Sequence, residues 1–270
     1  MGAIESARAC GADAGQIWGS NPRAWAHPKA DRDLARRFGE AWRQEGLGTL
    51  VLHAPYMVNI ASPNTDFRSR SVQLAQATVA LADEIGADGV VIHAGAGGVT
   101  TPREEALVAA AASVMAVADV ADRTSVFVEL TAGGMGSVAS TFPEARRLID
   151  AAGGHPRLAL CADTCHLFAA GYRLDTEEGA RSCFDEVRRL GMTRRLRLIH
   201  ANDSKYPYGL HRDSHTHIGR GHIGEAGFRA ILGHPLVRRC TVLCETPGRL
   251  EDHARNIATL RRLAGEDDPS

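Results

Sequence analysis

The sequence predicts an α/β chain, a (β/α)8 barrel of the TIM type that lacks its first β-strand. Three observations lead there. Short apolar runs alternate along the chain with segments of helical periodicity, the pattern of right-handed βαβ units around a parallel sheet. The 270 residues fall in the size range of one such barrel. Seven apolar runs are present, one short of the eight strands a closed barrel of this type needs.

A helix-like piece, Ile4 to Ala12, precedes the first run. The runs are Gln16-Ile17-Trp18, Thr49 to His53, Gly89 to His93, Ser125 to Leu130, Arg157 to Asp163, Leu196 to Ala201 and Thr241 to Glu245. Between the second and third, Leu74, Ala77, Leu81 and Ile85 recur at helical spacing and share one face. Thr101-Pro102-Arg103-Glu104 and Thr141-Phe142-Pro143-Glu144 read as capping boxes that open the next two helices. No linker or shift in composition marks a boundary, so residues 1–270 are expected to form a single barrel domain, the last few as a disordered tail. One segment departs from the alternation. Residues 202–224, NDSKYPYGLHRDSHTHIGRGHIG, are too polar and glycine-rich for core and too long for an ordinary connection, which marks a functional loop.

Composition excludes several classes. Apolar residues make up 44% and charged residues 23%, as in an average soluble globular chain rather than a disordered or fibrous one. With 31 basic and 32 acidic side chains the net charge is −1, so no global positive field draws the chain to polyanions and any nucleic-acid contact must be local. No apolar run approaches the roughly 20 residues that span a bilayer, and MGAIESARAC lacks the layout of a secretory signal, which points to the cytoplasm. Six cysteines in such a chain favour free thiols. Cys161/Cys165 and Cys240/Cys244 are spaced too widely for the common Cys-x-x-Cys zinc motif and read as small packing residues.

In parallel α/β sheets the carboxyl ends of the strands face the site. Here the last ionisable residues of the runs are His53, His93, Glu129, Asp163, His200 and Glu245. Singly, each is an ordinary helix cap or hydrogen-bonding group. Together on one barrel mouth they carry a desolvation and repulsion cost that cations or shared protons must offset. Asp213-Ser214-His215 in the long loop can turn two alternate side chains to one ion, and His166 follows Asp163 by three residues. Five histidines, two aspartates and two glutamates suffice for three cation sites that share a carboxylate. Imidazole with carboxylate and no thiolate favours Zn2+, with Mn2+ or Fe also compatible. Three divalent cations against four carboxylates leave about +2, which attracts phosphate and suits phosphodiester hydrolysis.

The motifs HAPYMVNIAS (53–62), VELTAG (128–133), CADTCHLFAAG (161–171), HANDSK (200–205), DSHTHIGRGHIG (213–224) and CETP (244–247), together with His93 followed by Gly95, resemble the endonuclease IV family. The resemblance runs from about residue 11 to 260. It implies a trinuclear zinc enzyme of DNA base excision repair that hydrolyses the phosphodiester 5′ to an apurinic/apyrimidinic site in double-stranded DNA, leaving a 3′-hydroxyl, with 3′-end repair phosphodiesterase activity a further expectation. Carried over by motif, His53, His93 and Glu129 form one ligand set. Glu129 bridges to Asp163, His200 and Glu245, and His166, Asp213 and His215 form the third set, with Glu129 and Glu245 catalytic. Arg23, Tyr56 and Met57 resemble the side chains that open the duplex, and Lys205, Arg212 and Arg220 in the mouth loops are expected phosphate contacts. A monomer working at the nucleoid, without an obligate protein partner, is the corresponding expectation.

The chain also departs from the family pattern. It has no Gly-Ala/Ser-His-Val-Ser strand, which the family places first, so a truncated gene model or an unusual N-terminus is expected. Ala94 replaces a proline, Leu130 an asparagine and Arg220 a glutamate. Two other readings are open on sequence: a xylose-isomerase-like sugar isomerase or epimerase using one or two divalent metals, and a non-catalytic zinc protein that binds damaged DNA.

Overall fold

A computed structural model describes residues 2–29 and 31–266; the expected tail at the last few residues lies outside them. Seven parallel strands form one sheet: β1 (Gly15–Trp18), β2 (Leu50–His53), β3 (Gly89–His93), β4 (Ser125–Glu129), β5 (Leu158–Asp163), β6 (Leu196–His200) and β9 (Thr241–Leu243). Each expected run is a strand, and the order β1-β2-β3-β4-β5-β6-β9 is that of a TIM barrel short of one strand. A two-stranded antiparallel ribbon, β7 (Asp203–Ser204) with β8 (His215–Thr216), lies within the long polar segment.

The helices are α1 (Gly2–Ala9), α2 (Arg32–Gln44), α3 (Thr65–Ile85), α4 (Arg103–Asp119), α5 (Phe142–Ala151), α6 (Thr164–Ala170), α7 (Glu177–Arg189), α8 (Gly224–Gly233) and α9 (Leu250–Ala264). None of those described is long and apolar enough to cross a membrane. Thr141 opens α5 with the expected capping box, its hydroxyl accepting from the Glu144 N–H while the Glu144 carboxylate accepts from the Thr141 N–H. The box expected at Thr101 does not form. The chain enters α4 one residue later, with Pro102 at the cap and no side-chain bond there, and Glu104 instead takes Arg147 of α5 at 2.5 Å. The buried stripe of α3 is also rotated from the sequence reading: Leu74 and Ile85 are buried beside Ser71, Ala75, Thr78, Val79 and Ala82, whereas Ala77 and Leu81 are only half-buried.

The large core lies between the helices and the sheet, and a smaller apolar cluster fills the barrel: Val51, Val91, Phe127, Ala159, Cys161, Leu198 and Leu243. Each large side chain there contributes about 1.5–3 kcal/mol by leaving water. Gly89 begins β3 without a side chain because the Phe127 ring occupies that space; a Cβ would stand 2.1 Å from Phe127 Cε2. The wall is open at one seam. Among the described residues β1 pairs only with β2 and β9 only with β6, and a cleft of about 850 Å³ runs between them, lined also by α1 and α9. All four β1 residues are half-buried, while those of β2, β4 and β5 are fully buried. Side chains bridge the seam at two levels: Thr49 Oγ1 to Thr241 Oγ1 at 2.9 Å, and Gln16 Nε2 to Glu245 Oε1 at 2.5 Å.

Candidate metal centre

Strand parity builds the site. Successive residues of a strand point to opposite faces, so a residue two beyond an interior side chain also points inward, one layer nearer the mouth. Val51, Val91, Phe127, Cys161 and Leu198 line the barrel, and two residues on stand His53, His93, Glu129, Asp163 and His200. Register places His93 beside Glu129 and Asp163 beside His200. Glu245 follows the same step from Leu243 but lies beyond the strand, because β9 ends at Leu243 rather than at Glu245 as the run suggested. An apolar floor thus carries a layer of ionisable groups.

Glu129 is fully buried at the centre of that layer. Its Oε2 lies 3.2 Å from His53 Nε2 and 3.3 Å from His93 Nε2, while its Oε1 lies 3.0 Å from His200 Nδ1. The two oxygens therefore serve different neighbours. His200 Nδ1 is also 3.2 Å from Glu245 Oε2. Among the described residues, three sets without a thiol have ligand atoms mutually within 4.8 Å: His53, His93 and Glu129; Glu129, Asp163, His200 and Glu245; and His166, Asp213 and His215. The structure brings together all nine side chains singled out in the sequence.

Local structure aims the third set. Asp163 ends β5 and caps α6, its Oδ1 accepting from the His166 N–H at 2.9 Å, which lifts the His166 ring away from the Asp163 layer. The His166 Nδ1–H donates to the Leu130 carbonyl at 2.9 Å, leaving Nε2 3.1 Å from Asp213 Oδ2. Asp213 and His215 reach the mouth because Asp203 gathers the long loop, accepting from the N–H groups of Ser204, Gly221 and Ile223 at 2.8, 2.9 and 2.9 Å. Sequence reading gave Asp203 no role.

The residues present fit cations. His53 and His215 donate Nδ1–H to the carbonyls of Ala54 and Glu245 at 2.7 and 3.3 Å, and His166 does so to Leu130, so three rings turn Nε2 inward, where a cation can take the place of its proton. Among the described residues, His215 Nε2 is one of only two buried side-chain nitrogens or oxygens without a hydrogen-bond partner. It stands 3.1 Å from Asp213 Oδ1 and 3.5 Å from Asp163 Oδ2 without making a hydrogen bond to either, as donors sharing a cation do.

Without cations the charges are balanced by protons. Burial pushes the Glu129 carboxyl up, but the His200 and His93 imidazoles outweigh it and hold the group well below the usual range. Burial likewise raises Glu245, yet His200 brings it down to about 2. Burial lowers His166, and Asp163, Asp213 and Glu129 raise it well above an ordinary histidine. For His215 burial again lowers and the Asp163 and Asp213 carboxylates more than reverse it, to about 9. The stability from protonated His215 is complete below its ordinary 6.5 and is lost as pH rises through about 9. A cation taking that place must expel the proton, so cation affinity should rise over the same window while proton release shrinks. Calorimetric titrations in buffers of different ionisation enthalpy measure both, and pH-independent uptake would remove His215 from the ligand set.

The thiols lie closer to the centre than the sequence suggested. Cys161 Sγ falls within 4.8 Å of Glu129 and His200 ligand atoms, and Cys165 Sγ similarly joins Asp163 and His215. Burial pushes both thiols up to about 12, which keeps them protonated and poor ligands. Cys165→Ser should therefore leave the metal content unchanged and activity within about twofold; loss of one metal ion per chain, read by elemental analysis, would return the thiol to the ligand set.

The expected duplex-opening residues occupy mouth loops. Arg23 is exposed after β1, and the Tyr56 N–H donates to the Pro22 carbonyl at 2.9 Å, tying the loops of β1 and β2 together. Tyr56 is 58% exposed above the Trp18 ring, with centroids 4.9 Å apart, and Met57 is half-buried beside it. Lys205, Arg212 and Arg220 are exposed; Arg212 stacks on Tyr206 at 4.0 Å, and Arg220 lies within charge range of Glu225. Sequence reading missed Asn202, whose amide joins two ligands: Nδ2 donates to Asp163 Oδ2 at 2.6 Å, and Oδ1 accepts from the Glu245 N–H at 2.7 Å. Its place beside His200 in HANDSK was the available signal. Gln16 was also missed.

A parallel barrel with clustered imidazoles and carboxylates at its mouth defines a class, and residues 4–263 match its family description, xylose isomerase-like TIM barrel. A D-tagatose 3-epimerase-like protein superposes with a TM-score of 0.73 at 17% identity, over 94% of this chain and 88% of that one, a likeness of fold alone. Much nearer in sequence is a probable endonuclease 4 from Methanoculleus marisnigri, 38% identical over 266 residues, 97% of this chain and 94% of the relative. The crystal structure of endonuclease IV from Thermus thermophilus superposes with a TM-score of 0.83 at 31% identity, over 98% of this chain and 94% of that one. The chain belongs to the endonuclease IV family, and it is an enzyme, a nuclease.

Proposed function

We propose that the chain, acting as one monomeric barrel unit, is a DNA repair endonuclease that hydrolyses the phosphodiester 5′ to an abasic site in duplex DNA and leaves a 3′-hydroxyl. Trimming of blocked 3′ ends by the same centre is part of the proposal. The observation that carries it is Glu129, buried beneath the mouth, with one oxygen facing the His53 and His93 rings and the other facing His200. A carboxylate so placed would join two cation sites, and the His166, Asp213 and His215 set would supply a third. Zinc suits this mixture of imidazole and carboxylate, with manganese or iron compatible. Bound there, the cations would supply a hydroxide at neutral pH and charge stabilisation for the leaving oxygen.

The protein's own groups do the rest. Glu129 and Glu245 fix the spacing of the donors, and the Val51, Val91, Phe127 and Leu198 floor keeps water from screening them. Arg23, Tyr56 and Met57 stand where they can enter a duplex whose abasic nucleotide has no base to unstack, and Lys205, Arg212 and Arg220 can hold phosphates. An isomerase or epimerase needs only the strand-end donors and gives no role to Asp213 and His215.

Incubation with a duplex containing one tetrahydrofuran abasic analogue tests the reading. Incision on the 5′ side that stops with chelator and returns with zinc is the expected result, alongside three metal ions per chain by elemental analysis. One metal ion per chain would end the trinuclear assignment, and binding without metal-dependent incision would leave a damage-binding protein.

A further inference from the structure

Gln16 is the polar member of the first apolar run. It lies on β1 paired with Val51 of β2, and strand parity places it on the inner face, two residues after Ala14, which packs on the barrel floor. Its amide makes two contacts with site residues. The His200 Nε2–H donates to Gln16 Oε1 at 3.0 Å, and Gln16 Nε2 donates to Glu245 Oε1 at 2.5 Å. His200 is fully buried, and its other nitrogen, Nδ1, faces Glu129 and Glu245 at 3.0 and 3.2 Å. Glu245 lies past the end of β9, where no strand pairing fixes it.

We propose that Gln16 is a positioning residue for the Glu129, Asp163, His200 and Glu245 set. By accepting from Nε2–H it selects the His200 tautomer whose Nδ1 lone pair faces the cation, and by donating to Glu245 across the seam it fixes a carboxylate that the strand does not hold. Of the five histidines in the site, His200 is the one whose outward N–H is held by a side chain amide rather than a carbonyl in these contacts, so its orientation rests on β1 staying in register. Partners of this kind are worth about 10- to 100-fold in metal affinity. Gln16 is level with Val51 of the apolar floor, one layer beneath His53. The inference rests on the metal-centre reading above.

The test compares the full-length wild-type chain with Gln16→Met, which keeps the volume and removes both bonds, and with Gln16→Glu, which keeps the acceptor for His200 while replacing the donor to Glu245 by a like charge. Stepwise Zn2+ and Co2+ titrations against a chromophoric chelator report each site's affinity, and the visible spectrum of the cobalt form reports its coordination. In Gln16→Met one cation should bind about 10- to 100-fold more weakly, with a changed cobalt spectrum, while the remaining sites and the metal-free melting temperature hold. The kcat for an abasic duplex should fall with KM unchanged. Gln16→Glu should retain part of that affinity if His200 orientation is the main effect. Wild-type affinities in Gln16→Met, or equal weakening at every site together with a lower melting temperature, would overturn the role and leave only a seam contact. A wild-type chain that takes up no cation would instead end the metal-centre reading itself, so the two failures are distinguishable. Should Gln16→Met not fold, Gln16→Glu carries the same titrations, and wild-type affinities there together with an unaltered cobalt spectrum would overturn the role.

Discussion

Glu129→Gln should reduce incision of an abasic duplex by about 10³-fold or more while the chain stays folded. The magnitude follows from what the side chain does: it presents one oxygen to His53 and His93 and the other to His200, so one substitution weakens two donor sets, and removing even one preorganised electrostatic group typically costs about 10²–10³ in kcat. Glutamine has the same shape, but its amide nitrogen cannot ligate, and it brings N–H donors against ring nitrogens held for a cation. The fold should survive because the carboxylate stands above the apolar cluster rather than within it, and because in the metal-free state the neighbouring imidazoles can release their protons and stay neutral once its charge is gone. Elemental analysis should show fewer metal ions per chain, with circular dichroism unchanged. Undiminished cleavage would rule out Glu129 as the bridging group.

Asp213→Asn and His166→Ala should each remove one metal ion per chain, leave the other two, and lower incision by at least about 10²-fold. Asp213 is the cleaner probe. Its side chain is 53% exposed, its carboxyl is pulled far down by the His166 and His215 imidazoles despite its burial on the protein side, and it lies outside every strand. His166 is buried, and its removal also strands the Leu130 carbonyl that its Nδ1–H satisfies, a further loss of about 1–3 kcal/mol. The measurement that matters is metal stoichiometry in Asp213→Asn with a full melting profile. Three metal ions retained in that variant would dissolve the third set, and with it the argument against a sugar isomerase.

The legible part of this site is the part that strand periodicity governs. His53, His93, Glu129, Asp163 and His200 each terminate a strand, so an apolar run with an ionisable last residue located them without coordinates. Glu245 was found although β9 stops at Leu243, because parity carries the inward direction past the last strand bond. The loop pair Asp213 and His215 was found by spacing, but spacing could not bring it to the mouth. That depends on Asp203 collecting N–H groups from residues 204, 221 and 223, a contact between chain positions up to 20 apart. The capping box at Thr101 failed for a related reason: Glu104 found Arg147 on a neighbouring helix, and the local pattern lost to a tertiary one.

By itself the sequence determined the class of architecture, the number of barrel strands, the identities of the nine candidate ligands and the chemistry that imidazole with carboxylate supports. Each is fixed by a residue's type and its place in a short repeat. The tertiary structure alone decided how Glu129 divides its two oxygens and that Gln16 reaches across the open seam to His200 and Glu245. Those depend on distances between strands far apart in the chain, and only an assembled wall with a packed floor sets such distances.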